Sequence, residues 1–342
     1  MELILHIGGE KTGTTTLQRY LSANSARLLA DFRLLYPAKP PLLFKAAHFP
    51  LINTLMPAAP LEFMRDHVVV APDTMREALA AMVAEAKPER VVLSAEHFSS
   101  RMSLADIRRL AEWIKNMGLF DAVRVVFYVR PQDDLAVSAF STRLRVGWRG
   151  WISEARYNPD NPYFNHFRTA ELWASCFGGA AMMVRSYDRA SADIVRDFLL
   201  AIGVPADDPE TPAPRLNQGF TYEGLRLLHL VNQHLALHGD VGVANQRIEQ
   251  DVESRRRFTR LLKDKKICAG GRPADLVLAA DARARIQSAY GAANAKLREK
   301  YGVELVLAEV PDAAAAVPLL PDTDILAKTM AEMVRLLPKR MG

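Results

Sequence analysis

Apolar residues fall along this chain in two periods. Near-continuous runs occupy residues 3–7 (LILHI), 90–95 (RVVLSA), 123–129 (VRVVFYV) and 181–185 (AMMVR). Each reads as a short strand buried on both faces. Between them the spacing turns helical. From Thr14 onward, Leu17, Tyr20 and Leu21 share a face; Met75 to Ala86 is rich in Ala, Glu and Met; residues 104–117 put Leu104, Ile107, Leu110, Ala111 and Ile114 on one stripe. Strands alternating with helices predict an α/β protein with a central parallel sheet flanked by helices. After residue 216 the character changes. Residues 221–238 and 282–300 read as helices, with one further strand signal at 303–307 (VELVL). Val310 to Pro321 is Ala- and Pro-rich and reads as a linker. An amphipathic helix follows over 324–337, carrying Ile325, Met330, Met333, Val334 and Leu337. The expected organisation is a core over 1–220, a mainly helical extension over 221–309, and a linker with a C-terminal amphipathic helix over 310–342.

Composition narrows the class. The chain has 342 residues, 49% hydrophobic and 24% charged, which is ordinary for a globular protein able to bury a core without staples. Its two cysteines, Cys176 and Cys268, form no CxxC pair. That argues against a disulfide framework or a zinc site and fits a reducing compartment. A net charge of +5 favours an anionic ligand and is too small to single out nucleic acid. The apolar start at residues 3–7 is too short for a signal peptide and has no basic segment before it. No apolar stretch approaches the ~20 residues that span a bilayer. The expectation is a cytoplasmic protein without a transmembrane segment.

The richest segment is Gly8-Gly9-Glu10-Lys11-Thr12-Gly13-Thr14-Thr15-Thr16-Leu17. It joins the first strand to the first helix, where backbone N–H groups and a helix N-terminus converge on phosphate. Gly8 and Gly13 have the spacing of a nucleoside-triphosphate loop. Such a loop needs Lys at position 14 and Ser or Thr at 15; here 14 is Thr and the lysine stands at 11. The bland alternative is a Gly/Thr-rich turn that only caps a helix. A second phosphate-binding candidate closes the strand at 123–129: Arg130-Pro131, with Ser138 eight residues after the arginine on the following helix. A guanidinium offers a bidentate fork to phosphate, and a hydroxyl adds a donor. The bland alternative for Arg130 is a strand-end charge paired with Asp133 or Asp134.

Taken together, Lys11-Thr12-Gly13-Thr14-Thr15-Thr16-Leu17 and the strand–Arg130-Pro131–Ser138 pattern resemble the two phosphate motifs of the sulfotransferases that use 3′-phosphoadenosine-5′-phosphosulfate (PAPS). The resemblance covers residues 1–220, with motifs at 6–18 and 128–140. It implies a P-loop-like sulfotransferase fold, PAPS as co-substrate, adenosine 3′,5′-bisphosphate as product, and no required metal. Lys11, Thr12, Gly13, Thr14, Thr15 and Thr16 would then hold the 5′-phosphosulfate, with Lys11 also at the leaving oxygen. Arg130 and Ser138 would hold the 3′-phosphate. Looser similarity at Val184-Arg185-Ser186-Tyr187-Asp188 implies Tyr187 against the adenine. Thr16 departs from the small-phenol branch, which carries an aromatic there. That leans toward the bacterial, carbohydrate-type branch, with a hydroxyl or amine acceptor on a carbohydrate or glycolipid.

Sulfuryl transfer from such a donor needs a base for the acceptor proton. The strand at 90–95 ends in Glu96-His97. Glu96 is favoured, because the resemblance implies a Ser-x-Glu at this strand end; His97 is the alternative. On an extended chain the two would point opposite ways. His48 is a third candidate, expected to be structural or substrate-facing. Trp148, Trp151, Tyr157, Tyr163, Phe164 and Phe167, with Arg145, Arg149 and Arg168 among them, suit an acidic sugar or form a satellite core. The basic run from Arg255 to Lys266 reads as a solvated helix face, or as a contact to a polyanion or an anionic membrane surface. His234 and His238, four apart, read as surface histidines for want of a third ligand. Two other functions stay open: a nucleotide-dependent phosphotransferase with a degenerate loop, needing ATP and magnesium, and a noncatalytic nucleotide-binding module.

Overall fold

The computed structural model describes residues 1–56, 69–153, 157–159, 161, 163–190, 193–205, 220–237, 240, 243–263 and 274–306. All four apolar runs enter one sheet, as β1 (Glu2–Gly8), β3 (Arg90–Ser94), β4 (Ala122–Val129) and β5 (Met182–Ser186). A two-residue strand, β2 (Leu34–Leu35), completes the order β2-β3-β1-β4-β5, and every ladder is parallel. The sheet is buried on both faces, which is why its strands read as continuous apolar runs rather than alternating ones. Leu3, Leu5, Ile7, Val91, Leu93, Val125, Phe127 and Val129 feed one core cluster. Ile4, Val92, Val126 and Tyr128 feed a second.

Helices cover each side. The first cluster takes residues from α3 (Phe49–Leu55), α4 (Pro72–Ala86), α5 (His97–Arg101), α6 (Leu104–Lys115) and α8 (His166–Phe177). The second takes residues from α1 (Thr14–Ala23), α2 (Ser25–Phe32), α9 (Tyr187–Ala190) and α10 (Ile194–Ala201). Start signals fix the helices where periodicity alone is vague. Pro72 opens α4 and Asp73 lies in its first turn, so this helix starts three residues before the predicted Met75. Ser103 and Asp106 close a reciprocal capping box on α6.

The chain divides into two compact units. One holds Met1–Arg130, Pro159–Leu216 and Tyr290–Val306; the other takes in Pro131–Asn158 and Asn217–Ala289. The chain crosses between them after Arg130, Asn158, Leu216 and Ala289. The second unit packs α7 (Gln132–Arg145), α11 (Tyr222–Asn232) and α12 (Asn245–Lys263) together with the start of α13 (Ala280–Tyr301), the helix expected at 282–300. At its centre Arg283 donates to Asp133, both essentially out of water, and Gln287 donates to the same Asp133 oxygen at 3.0 Å.

Two expectations need correction. Residues 302–306 form no strand: Gly302 turns the chain with φ 65° at the end of α13, and Val303 enters the first core cluster as a plug. The helix expected over 221–238 ends at Asn232, whose side chain donates to the carbonyls of Leu144 and Trp148 at 2.8 and 3.1 Å. His234 therefore lies beyond the helix, exposed, while His238 lies outside the described residues. So do the expected linker and helix over 310–342, and Cys268.

Candidate functional site

The loop begins at an irregularity. In the β1–β4 ladder His6 pairs with Val126 but Gly8 pairs with Phe127, so one residue of β1 bulges just before the loop leaves the sheet. Gly9 then passes against β4 so closely that a Cβ there would lie 2.2 Å from the Tyr128 carbonyl oxygen. Lys11 adopts φ 68°, a left-handed conformation that costs a non-glycine residue about 1 kcal/mol or more. Thr12, expected among the donor-binding side chains, commits its hydroxyl inside the loop: it donates to the Gly9 carbonyl at 2.6 Å and is 2% exposed. Its hydroxyl shapes the loop.

Gly13 is the N-cap of α1, left-handed at φ 74°; no side chain caps the helix and no acidic residue sits in its first turn. The first N–H groups of a helix have no intrahelical acceptor. An uncapped start with the positive dipole end is therefore ready for an anion. Thr14 is buried, and Thr15 and Thr16 are half-buried beside it.

Arg130 comes to this loop from the end of β4. Its guanidinium donates to the Lys11 carbonyl at 3.2 Å and lies 5.6 Å from the Tyr187 ring centre. A Cβ on Gly13 would lie 3.0 Å from the same tyrosine ring. Lys11, Gly13, Arg130 and Tyr187 are thus brought together. His166 fixes Arg130 from behind. It is buried, which pulls its pKa down to about 4, so its neutral Nε2–H donates to the Arg130 carbonyl at 2.7 Å. Ser138 lies on the second turn of α7 in the other compact unit. Asp133 and Asp134, the acids weighed as partners for Arg130, both accept from Arg283.

The other wall is the end of β3. The chain does not run on extended there: Glu96 is helical, φ −65° and ψ −23°, and His97 opens α5. The opposite-facing argument for these two residues therefore fails. On a helix they leave about 100° apart, and both can reach the loop. Glu96 backs directly onto it, since a Cβ on Gly8 would lie 2.5 Å from the Glu96 Cα. Its carboxylate accepts from Gln18 Nε2 at 3.1 Å, and the same nitrogen donates to Ser94 Oγ at 3.2 Å. Ser94 Oγ lies 2.7 Å from His6 Nδ1, and burial drives the His6 pKa down to about 3.

His48 proves structural. It is wholly buried; its Nδ1 accepts from the Ser94 N–H at 2.9 Å and its Nε2 donates to Pro37 O at 3.1 Å. That assigns the neutral Nε2–H tautomer, in line with burial lowering its pKa to about 4.

His97 meets Glu10, a residue that the sequence motif passes over. His97 Nδ1 lies 3.2 Å from Glu10 Oε1. The same oxygen accepts from Ser100 Oγ at 2.6 Å, and Oε2 accepts from Tyr163 Oη at 3.0 Å. Burial alone would raise the Glu10 pKa. The hydrogen bonds from His97 and Ser100, the His97 charge and the Tyr163 hydroxyl outweigh it and bring the group down to about 2. Gln18 and Tyr163 were likewise not singled out as contacts of the loop's acids.

The expected aromatic surface is divided. Tyr163, Phe164 and Phe167 belong to the first unit; Trp148, Trp151 and Tyr157 belong to the second. Arg149 is tied to Asp240 and to the carbonyls of Asn232 and Leu235. In the basic run, Arg255 is buried against Asn232 Oδ1 and Ala236 O, while Arg256, Arg257 and Arg260 pair with Glu253 on an exposed face. Among the described residues no group of three or more His, Cys, Asp or Glu side chains is placed to hold a metal ion. No described helix is long and apolar enough to cross a membrane.

No protein-family profile matches the chain, and no curated protein does. Among solved structures, a sulfotransferase from Alicyclobacillus acidocaldarius aligns over 74% of this chain and 98% of its own, at 16% identity and a TM-score of 0.41.

Proposed function

We propose that this protein is a PAPS-dependent sulfotransferase acting on a hydroxyl or amine of a carbohydrate or glycolipid acceptor. The observation that carries the reading is the meeting of Arg130 with the Lys11–Gly13 loop and Tyr187. An uncapped helix start suits one phosphate. A guanidinium next to it suits a second, and an aromatic ring suits a base. The donor chemistry matches that set: two separate phosphates, on the 5′ and 3′ oxygens of one adenosine. In this reading the N–H groups at Gly13 to Thr15 hold the 5′-phosphosulfate, Lys11 stabilises charge on the leaving oxygen, Arg130 takes the 3′-phosphate, and Glu96 or His97 accepts the acceptor proton.

Calorimetric titration tests the donor. Adenosine 3′,5′-bisphosphate should bind without magnesium and more tightly than 5′-AMP. Arg130→Ala should remove about 1.5–3 kcal/mol of that binding, the range for a charge-assisted hydrogen bond. Equal affinity for the two nucleotides, or a requirement for magnesium and ATP, would refute the reading.

A further inference from the structure

Glu10 is an odd residue for an anion-binding loop. A carboxylate beside a bound phosphosulfate adds repulsion unless something nearby neutralises it. Three side chains from distant parts of the chain converge on it: His97, Ser100 and Tyr163. The proton inventory of this cluster settles the histidine tautomer. An ionised carboxylate only accepts. Ser100 has one hydroxyl proton, and its 2.6 Å contact to Glu10 Oε1 uses it. The two neighbours of His97 Nδ1, Glu10 Oε1 at 3.2 Å and Ser100 Oγ at 3.3 Å, can therefore both act only as acceptors. Nδ1 must carry the proton. In the neutral ring the basic lone pair then sits on Nε2, the opposite edge. Phe49 packs against the ring at 5.2 Å between centres and restrains its plane. The His97 side chain keeps 15% of its surface exposed.

The geometry points to Glu10 as the positioning residue of a Glu10–His97 pair, with His97 Nε2 as the group that takes the acceptor's proton. This rests on the sulfuryl-transfer reading above and reverses the preference for Glu96 within it. Glu96 instead anchors Gln18 at the back of the loop. In the transfer step the acceptor O–H (or N–H) bond breaks toward His97 Nε2 as the acceptor atom bonds to sulfur. The bond from sulfur to the bridging 5′-phosphate oxygen breaks, and its electron pair leaves on adenosine 3′,5′-bisphosphate. The imidazolium, steadied by the Glu10 carboxylate, afterwards releases its proton to water.

The test uses the full chain labelled with 15N-histidine. Long-range 1H–15N correlation reads the His97 tautomer, assigned by the signal lost in His97→Gln. The wild type should show Nδ1–H at a pH where the ring is neutral, and Glu10→Gln should shift the population toward Nε2–H. In turnover with PAPS and a hydroxyl acceptor that the wild type sulfates, Glu10→Gln should lower kcat on the order of 10²-fold, the lower end for a general base. Its KM for donor should stay within about twofold. Tyr163→Phe, a milder change at the same carboxylate, should move both readouts in the same direction by less. An Nε2–H wild type, or a Glu10→Gln variant with unchanged tautomer and unchanged kcat, overturns the proposal. Failure of the wild type to bind adenosine 3′,5′-bisphosphate would sink the donor reading and the reaction assigned to His97, while the tautomer signal would still decide the pairing by itself.

Discussion

Glu10 also makes a measurable contribution to stability, and the sign can be worked out from its surroundings. Its pKa falls from an ordinary 4.5 to about 2 in the folded chain, because the bonds from His97, Ser100 and Tyr163 outweigh the opposing effect of burial. The carboxylate is 20% exposed, so solvent screens it only partly. A difference of about 2.5 in pKa, at about 1.4 kcal/mol each, corresponds to about 3 kcal/mol favouring the fold when the group is ionised. The folded value is the depressed one. The contribution is therefore complete above the unfolded value of 4.5 and drains away as pH falls toward 2. Linkage puts about 2 kcal/mol of the loss between roughly pH 5.5 and pH 3. The assay is urea unfolding of the wild type and Glu10→Gln across that range. The variant cannot titrate at this position, so the difference between the two curves isolates it from other carboxylates. The wild-type advantage should shrink by about 2 kcal/mol on acidification. A difference that stays constant with pH would refute the assignment of these hydrogen bonds to an ionised carboxylate.

Other consequences can be checked alongside. Gly9→Ala should destabilise the chain by about 1–3 kcal/mol in chemical unfolding, since the new methyl would meet the Tyr128 carbonyl at 2.2 Å and backbone cannot swing aside. Arg283→Ala should cost about 3–5 kcal/mol by leaving Asp133 charged and buried, whereas Arg283→Met with Asp133→Leu should recover most of it. On the proposed chemistry, Lys11→Ala should lower kcat more than affinity for adenosine 3′,5′-bisphosphate, with steady-state kinetics and calorimetry as the two readouts.

The sheet was legible because both of its faces are covered. Strands such as β4 have no polar side to interrupt the apolar run, so length and composition suffice to find them. The two-residue β2 offers too little sequence to show a period. The strand signal at 303–306, where none forms, shows the limit of such patterns: Val303 is apolar because it plugs the core from a helix end, not because it pairs. Helix starts were visible where capping chemistry is local, as at Ser103. The early end of α11 was not, because Asn232 answers to carbonyls 84 and 88 residues away. The site divides in the same manner. Lys11, Gly13 and Arg130, which the fold brings together, belong to contiguous motifs. Glu10 does not, since its partners lie 87, 90 and 153 residues along the chain. One signal was present: an acid inside a loop expected to hold an anion needs neutralising neighbours, and His97 was already a candidate for other reasons. The reading of Glu96 and His97 as opposed side chains failed because the strand stops at Ser94 and a helical turn takes over.

The interleaving of the two units has a consequence for biosynthesis. A ribosome delivers the sheet strands early, but the core they share also takes in Leu297 and Val303. The segment Pro131–Asn158 emerges before the last two stretches of the first unit, Pro159–Leu216 and Tyr290–Val306, and must wait for Asn217–Ala289. Neither unit can therefore close as a finished body while the nascent chain is short. The second cluster is complete once Val204 has emerged, but the first lacks Leu297 and Val303 until the end of α13, a period in which intermediates of large chains are prone to associate. The chain should depend on holding chaperones more than a protein of the same size whose units follow one another in sequence.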